Sequence, residues 1–131
     1  MTTGTRRRRV LLKLSGEALA DESGQGPLST ATLARVAREV VAAVRATAVE
    51  VAIVIGGGNI FRGLAGGASL GLERTTGDQM GMLATLINSL AMRDAITAAG
   101  IPAAVHSAVA VGGVAPQISA PLVRKELEAG Q

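Results

Sequence analysis

Apolar runs alternate with glycine-broken and polar stretches along the chain, and each run predicts an element. Residues 10–14 are apolar apart from Lys13 and close on Ser15-Gly16, which predicts a short strand. A polar, glycine-containing loop follows at residues 21–27 (DESGQGP). Ser29 or Thr30 then offers an N-cap for a helix to about Ala46. In that helix Leu33, Val36, Ala37, Val40 and Val44 recur on one face, with Arg35, Arg38, Glu39 and Arg45 off it. Residues 49–55 predict a second strand, and the unbroken apolar run reads as covered on both faces, as in a parallel sheet. The order strand–loop–helix–strand implies a right-handed crossover.

The second half of the pattern is less regular. Residues 64–77 are glycine-rich and predict an irregular, mobile segment. Asp78 is placed to N-cap a long helix to about Ala99, stopped by Gly100 and Pro102. Met80, Leu83, Ile87 and Leu90 mark one apolar face of it, while Met82, Leu86 and Ala95 lie off that face. A helix apolar around much of its girth is buried on more than one side. One side is expected to meet the sheet, the other the same helix of a second subunit. Residues 101–107 predict a third strand and residues 121–128 a final helix. Three parallel strands are few beside the five or so of a typical sheet, so the domain reads as incomplete.

The chemistry concentrates where the second strand ends, in Gly56-Gly57-Gly58-Asn59-Ile60-Phe61-Arg62-Gly63. Open α/β sheets hold ligands at the C-terminal ends of their strands. Three glycines there let peptide N–H groups converge on an anion, and Arg62 adds a guanidinium suited to phosphate. Lys13 sits at the corresponding end of the first strand. A lysine in a buried apolar strand is costly without an anion, so Lys13 and the glycine loop are expected to share one phosphate. Two nucleotide loops are excluded: there is no G-x-x-x-x-G-K-[ST], and Gly56-x-Gly58 lacks the third glycine of a dinucleotide fingerprint at Phe61.

Composition narrows the class. Of 131 residues, 48% are apolar while Phe61 is the only aromatic, so the core is aliphatic. The net charge of +3 includes the run Arg6 to Arg9, which reads as a solvated arm: no basic helix face or stacking aromatics accompany it, which argues against nucleic acid. The run also lacks the apolar segment of a signal peptide behind it. Residues 95–123 carry no Asp, Glu, Lys or Arg, but three prolines and Gly112-Gly113 argue against a membrane span. With no cysteine, thiol chemistry and disulfides are excluded, and a cytoplasmic location is expected. His106, the single histidine, has no ligand partners in sequence and is expected to be structural, and no metal-ligand set is evident.

Taken together, LLKLSGEAL (residues 11–19), VIGGGNIFRG (54–63) and GDQMGMLATLINSLAMRDA (77–95) resemble the bacterial uridylate (UMP) kinase branch of the amino acid kinase family. The resemblance runs in order from about Val10 to Gly130. It implies a three-layer αβα sandwich with a mainly parallel sheet, incomplete at the C-terminus. Residues 1–9 would form a flexible basic arm and 10–131 the N-terminal part of the domain. It implies transfer of the γ-phosphoryl of ATP to UMP, giving UDP and ADP with Mg2+, in pyrimidine nucleotide biosynthesis. Lys13 would be catalytic; Lys13, Leu14, Ser15, Gly16, Gly58 and Arg62 would meet ATP; Gly57 and Asp78 would meet UMP, Asp78 through the ribose hydroxyls. It also implies a homo-oligomer through residues 78–99, a hexamer in the family, and regulation by GTP or UTP. Residues 21–26 correspond to the family's GTP-linked loop, without a match close enough to carry residues over.

Family members are roughly twice as long. They continue into a strand and the motif G-T-G-N-P-F-F-T-T-D, which holds UMP, and then into the adenine site. Little turnover is therefore expected of these 131 residues alone, and the alternative is a non-catalytic oligomerisation or nucleotide-binding fragment of the same fold. A second departure is Ala48, where the family has glycine after the helix. If φ is positive there, alanine costs on the order of 1 kcal/mol.

Overall fold

The computed structural model describes residues 7–23, 26–61 and 63–131, leaving aside the side chains of residues 63–65. Strands β1 (Arg9–Leu14) and β2 (Glu50–Ile55) pair in parallel, with Arg9 opposite Glu50 and Leu14 opposite Ile55. Helix α1 (Thr30–Thr47) makes the crossover between them. The Ser29 hydroxyl accepts from the Thr32 N–H at 3.2 Å, which satisfies one of the orphan donors of the first turn. The helix ends on Ala48 at φ 52°, ψ 32°, its N–H bonded to the Val44 carbonyl. The left-handed site suspected at Ala48 is therefore real, and a Cβ occupies it.

Beyond β2 come α2 (Gly63–Ser69), α3 (Arg74–Ala98) and α4 (Ala120–Glu128). α4 is capped by the Ser119 hydroxyl and carries Pro121 in its first turn, where the missing N–H costs nothing. Side chains on alternate strand positions define two faces. Leu14, Ile53 and Ile55 pack with Leu19, Ala37, Val41, Met92 and Ile96, so α1 and α3 cover that face. Each fully buried aliphatic side chain there contributes about 1.5–3 kcal/mol. The opposite face carries Arg9, Leu11 and Lys13 beside Glu50, Ala52 and Val54. α4 reaches it at one end, where Glu128 bonds Arg9 at 3.1 Å and Arg9 bonds the nearly buried Glu50. The bond to Glu50 holds the Arg9 guanidinium above its ordinary value. Arg9 thus belongs to the folded body rather than to a basic arm.

Four expectations are corrected. The strands are covered on one face only: Leu11 is 70% and Val54 51% exposed. Lys13, on the same open face, is exposed rather than buried. Among the described residues, 101–107 form no strand; the segment makes a single parallel bridge, Ser107 to Gln117. Strand propensity does not suffice, because a ladder also needs an adjacent edge and a cleft lies between this segment and β2. Residues 64–77 are not irregular: α2 occupies much of them and α3 starts at Arg74, one turn before Asp78. α2 packs on α3 beside Gly77, where a Cβ on Gly67 would stand 3.8 Å from the Gly77 Cα, an ordinary contact.

Candidate functional site

The C-terminal ends of β1 and β2 meet through backbone. The Gly56 N–H donates to the Leu14 carbonyl at 2.9 Å, which carries the ladder one residue past the end of β2. Ser15 then caps a 3-10 turn at Gly16–Leu19, its hydroxyl accepting from the Ala18 N–H at 3.3 Å. Gly16 is buried against the glycine loop. A Cβ on it would stand 2.4 Å from Asn59 Oδ1, 2.8 Å from the Gly58 nitrogen and 2.9 Å from the Gly56 carbonyl oxygen. Only glycine allows the two turns this proximity.

The loop is held from behind by α3. A Cβ on Gly57 would fall 2.8 Å from the Thr85 nitrogen and 2.9 Å from the Ala84 Cβ, so this glycine is required by helix packing. The loop turns on the Gly57 carbonyl, which accepts from the N–H groups of Ile60 and Phe61 at 3.0 Å. Asn88, fully buried on α3, donates to the Gly56 carbonyl and to Asn59 Oδ1, both at 2.7 Å. Asn59 donates in return to Asn88 Oδ1 at 3.2 Å and to the Pro27 carbonyl at 2.7 Å. Both amide N–H groups of each asparagine are therefore used, and the loop is tied to α3 and to the start of α1.

What this leaves open is a row of donors. Among the described residues, the N–H groups of Gly16, Gly57, Gly58 and Asn59 meet no acceptor. Backbone N–H groups of successive turn residues form an anion-binding concavity, and the first N–H groups of a helical turn add to it. Lys13, one residue before the end of β1, lies on the open face of the sheet and makes no hydrogen bond or ion pair among the described residues. Its ammonium is available to a ligand, and exposure rather than burial explains how it is tolerated.

The other expected site residues divide. Leu14 contributes its carbonyl to the ladder and its side chain to the core, and the Ser15 hydroxyl is engaged as a cap. A Cβ on Gly58 would meet the Glu17 carboxylate at 2.7 Å, the movable end of a side chain. Arg62 lies outside the described residues. Asp78 is exposed within α3, and Arg74 Nε bonds both its carboxylate oxygens at 3.1 Å. It precedes Ala84 by roughly 9 Å of helix, away from the loop. Among the described residues no group of three or more acidic or histidine side chains gathers in a way that could hold a metal ion.

Asn59 and Asn88 are the site residues that reading the sequence passed over. A signal was present: Ala84, Asn88, Met92 and Ile96 repeat every four residues, and all four are buried. The other stripe drew attention because it is wholly apolar, yet Met80, Leu83 and Ile87 are exposed. His106 bonds Glu126 on α4, as a structural histidine does. No helix among the described residues is long and apolar enough to cross a membrane.

A family model for the amino acid kinase family matches residues 8–131. The chain belongs to the amino acid kinase family. Among solved structures of that fold, it is similar to UMP kinase from Ureaplasma parvum, with 30% identity and a TM-score of 0.86, over 95% of this chain and 53% of that one. It is also similar to UMP kinase from Bacillus anthracis, with 37% identity and a TM-score of 0.83, over 95% of this chain and 51% of that one. The parallel pair with helices on its faces is thus part of an amino acid kinase fold. The chain spans about half the length of the structures it matches.

Proposed function

We propose that this chain carries the phosphate-gripping half of a UMP kinase, which moves the γ-phosphoryl of ATP to UMP. The observation that carries the reading is the row of N–H groups at Gly16 and Gly57–Asn59 that, among the described residues, meet no acceptor, beside a Lys13 with no partner among them. The similarity to two UMP kinases supports the choice of acceptor. In the reaction a UMP phosphate oxygen bonds the γ-phosphorus as the β–γ bridging bond breaks, giving UDP and ADP. Such a transfer needs positioning and neutralisation of spread charge rather than a protein nucleophile. Gly16, Gly58 and Lys13, with the backbone of Leu14 and Ser15, would steady the phosphates of ATP. Gly57 would border UMP, and Arg62 would act on the ATP side. For Asp78 to reach the UMP ribose, its pairing with Arg74 has to open.

Magnesium enters with ATP as the counter-ion of its phosphates, and no step is assigned to a protein-held ion. The exposed stripe of Met80, Leu83 and Ile87 supports self-association through α3. The alternative, a nucleotide-binding fragment without turnover, rests on the half-length match. A coupled assay for ADP release, with calorimetric titration of ATP, separates the two. ATP binding without turnover by the 131 residues, and turnover once the rest of the fold is supplied, is the expected result. Absence of ATP binding in both forms removes the proposal.

A further inference from the structure

Glu17 stands at the mouth of the anion cradle. It follows Gly16, whose N–H belongs to the row of donors, and lies in the first turn of the 3-10 segment that Ser15 caps. From there its exposed side chain reaches across to the glycine loop. The three atoms nearest to a Cβ built on Gly58 all belong to the Glu17 carboxylate, with Oε1 at 2.7 Å and Cδ and Oε2 at 3.3 Å. The glycines of the two turns thus differ in what borders them. Backbone atoms crowd Gly16 and Gly57, whereas Gly58 leaves room for a charged side chain.

A carboxylate has the wrong sign for a phosphate site, so its place there calls for a reason. A phosphate oxygen accepting from the Gly58 N–H would stand within roughly 8 Å of Glu17 Oε1, counting one hydrogen bond from that nitrogen. That is shorter than the Debye length of about 10 Å at 0.1 M salt, so the two charges feel each other. Their repulsion scales with the charge of the ligand. A free triphosphate meets all of it. A triphosphate complexed with Mg2+ carries two negative charges fewer and meets roughly half as much at the same place. The N–H row and Lys13 attract any phosphate chain, and Glu17 grades what they attract.

We infer that Glu17 is a specificity-determining residue, whose carboxylate beside Gly58 makes the cradle select the metal-complexed triphosphate over the free one. The selection acts through space. Glu17 is assigned no bond to the metal, because among the described residues no group of three or more acidic or histidine side chains gathers that could hold one. The inference rests on the reading of the cradle as a triphosphate site, and it adds which charge state of the triphosphate that site takes.

The test is calorimetric titration of the 131-residue protein with ATP and with inorganic tripolyphosphate, each in EDTA and in excess MgCl2 at matched ionic strength. The quantity read is the ratio of the Kd of the free form to the Kd of the Mg2+ form. Glu17→Gln keeps the size of an exposed side chain and removes its charge, so the fold is retained, as circular dichroism checks. It should lower the ratio about tenfold, chiefly by tightening the free form. Glu39→Gln removes the same charge from α1, where Glu39 pairs with Arg35, and should leave the ratio within about twofold of the original. A ratio unchanged by Glu17→Gln, or shifted equally by Glu39→Gln, overturns the inference while the triphosphate reading stands. Binding of neither probe by the original protein or by Glu17→Gln removes that reading and this inference with it. The readout is affinity, so the presence or absence of turnover does not enter.

Discussion

Asn59 and Asn88 exchange two hydrogen bonds, Asn88 Nδ2 to Asn59 Oδ1 at 2.7 Å and Asn59 Nδ2 to Asn88 Oδ1 at 3.2 Å. Asn88 comes from the buried stripe of α3 and Asn59 from the end of the glycine loop. Replacing Asn88 by alanine leaves the Gly56 carbonyl and the Asn59 amide short of partners in a closed setting. Asn88→Ala should lower unfolding free energy by about 2–3 kcal/mol, read from urea midpoints at constant slope. It should also weaken ATP binding, because the loop loses its tie to the helix.

Gly16 and Gly81 give opposite expectations for the same substitution. Gly16→Ala puts a methyl into the backbone of Gly56 and Gly58, which cannot turn aside as a flexible side chain would. A loss of about 1–3 kcal/mol is expected, with ATP binding lost in the protein that remains folded. Gly81 lies inside α3, and a Cβ there meets nothing within 4 Å. Gly81→Ala should raise stability by up to about 1 kcal/mol through helix propensity. Thermal unfolding of the two variants side by side checks both signs.

Ala48 holds a left-handed backbone at φ 52° that its Cβ disfavours. Ala48→Gly should stabilise the protein by about 1 kcal/mol, with the glycine's greater freedom in the unfolded chain offsetting part of the gain. An unchanged or lowered denaturation midpoint would remove strain at this cap from the account.

Asp21 gives a pH dependence of known sign. The Ser23 backbone N–H donates to its carboxylate at 2.9 Å and holds its pKa below the ordinary carboxylate value. A group depressed in the folded state stabilises above its unfolded pKa, and the contribution is lost as pH falls through the folded pKa. Asp21→Asn should flatten that part of the acid limb of the stability curve. The carboxyl carbon of Asp21, followed by NMR, should titrate below that of an unstructured aspartate.

Lys13→Ala tests the charge at the site. Lys13 is exposed and unpaired among the described residues, so its loss should leave the unfolding midpoint within about 0.5 kcal/mol of the original. ATP affinity of the chain, and turnover of any completed enzyme, should fall steeply. A retained phosphoryl-transfer rate would take Lys13 out of the mechanism.

The elements that depend on neighbours close in sequence were legible without the structure. Ser29 as a cap, α1, two parallel strands and the glycine loop at their ends follow from local backbone chemistry and apolar period, while Ala48 drew notice only against the glycine of the resembled family. The motifs around Lys13 and Gly56–Gly58 were enough to point to the amino acid kinase family, which the family match bears out. Tertiary structure alone decided which face of α3 is inside. An apolar stripe shows how much surface a helix can bury but not against what, and the buried stripe is the one that carries Asn88. It also decided that α3 begins at Arg74, one turn before Asp78. Finally, it left residues 101–107 without a ladder. A strand is completed by the edge beside it, and the edge of β2 faces a cleft instead.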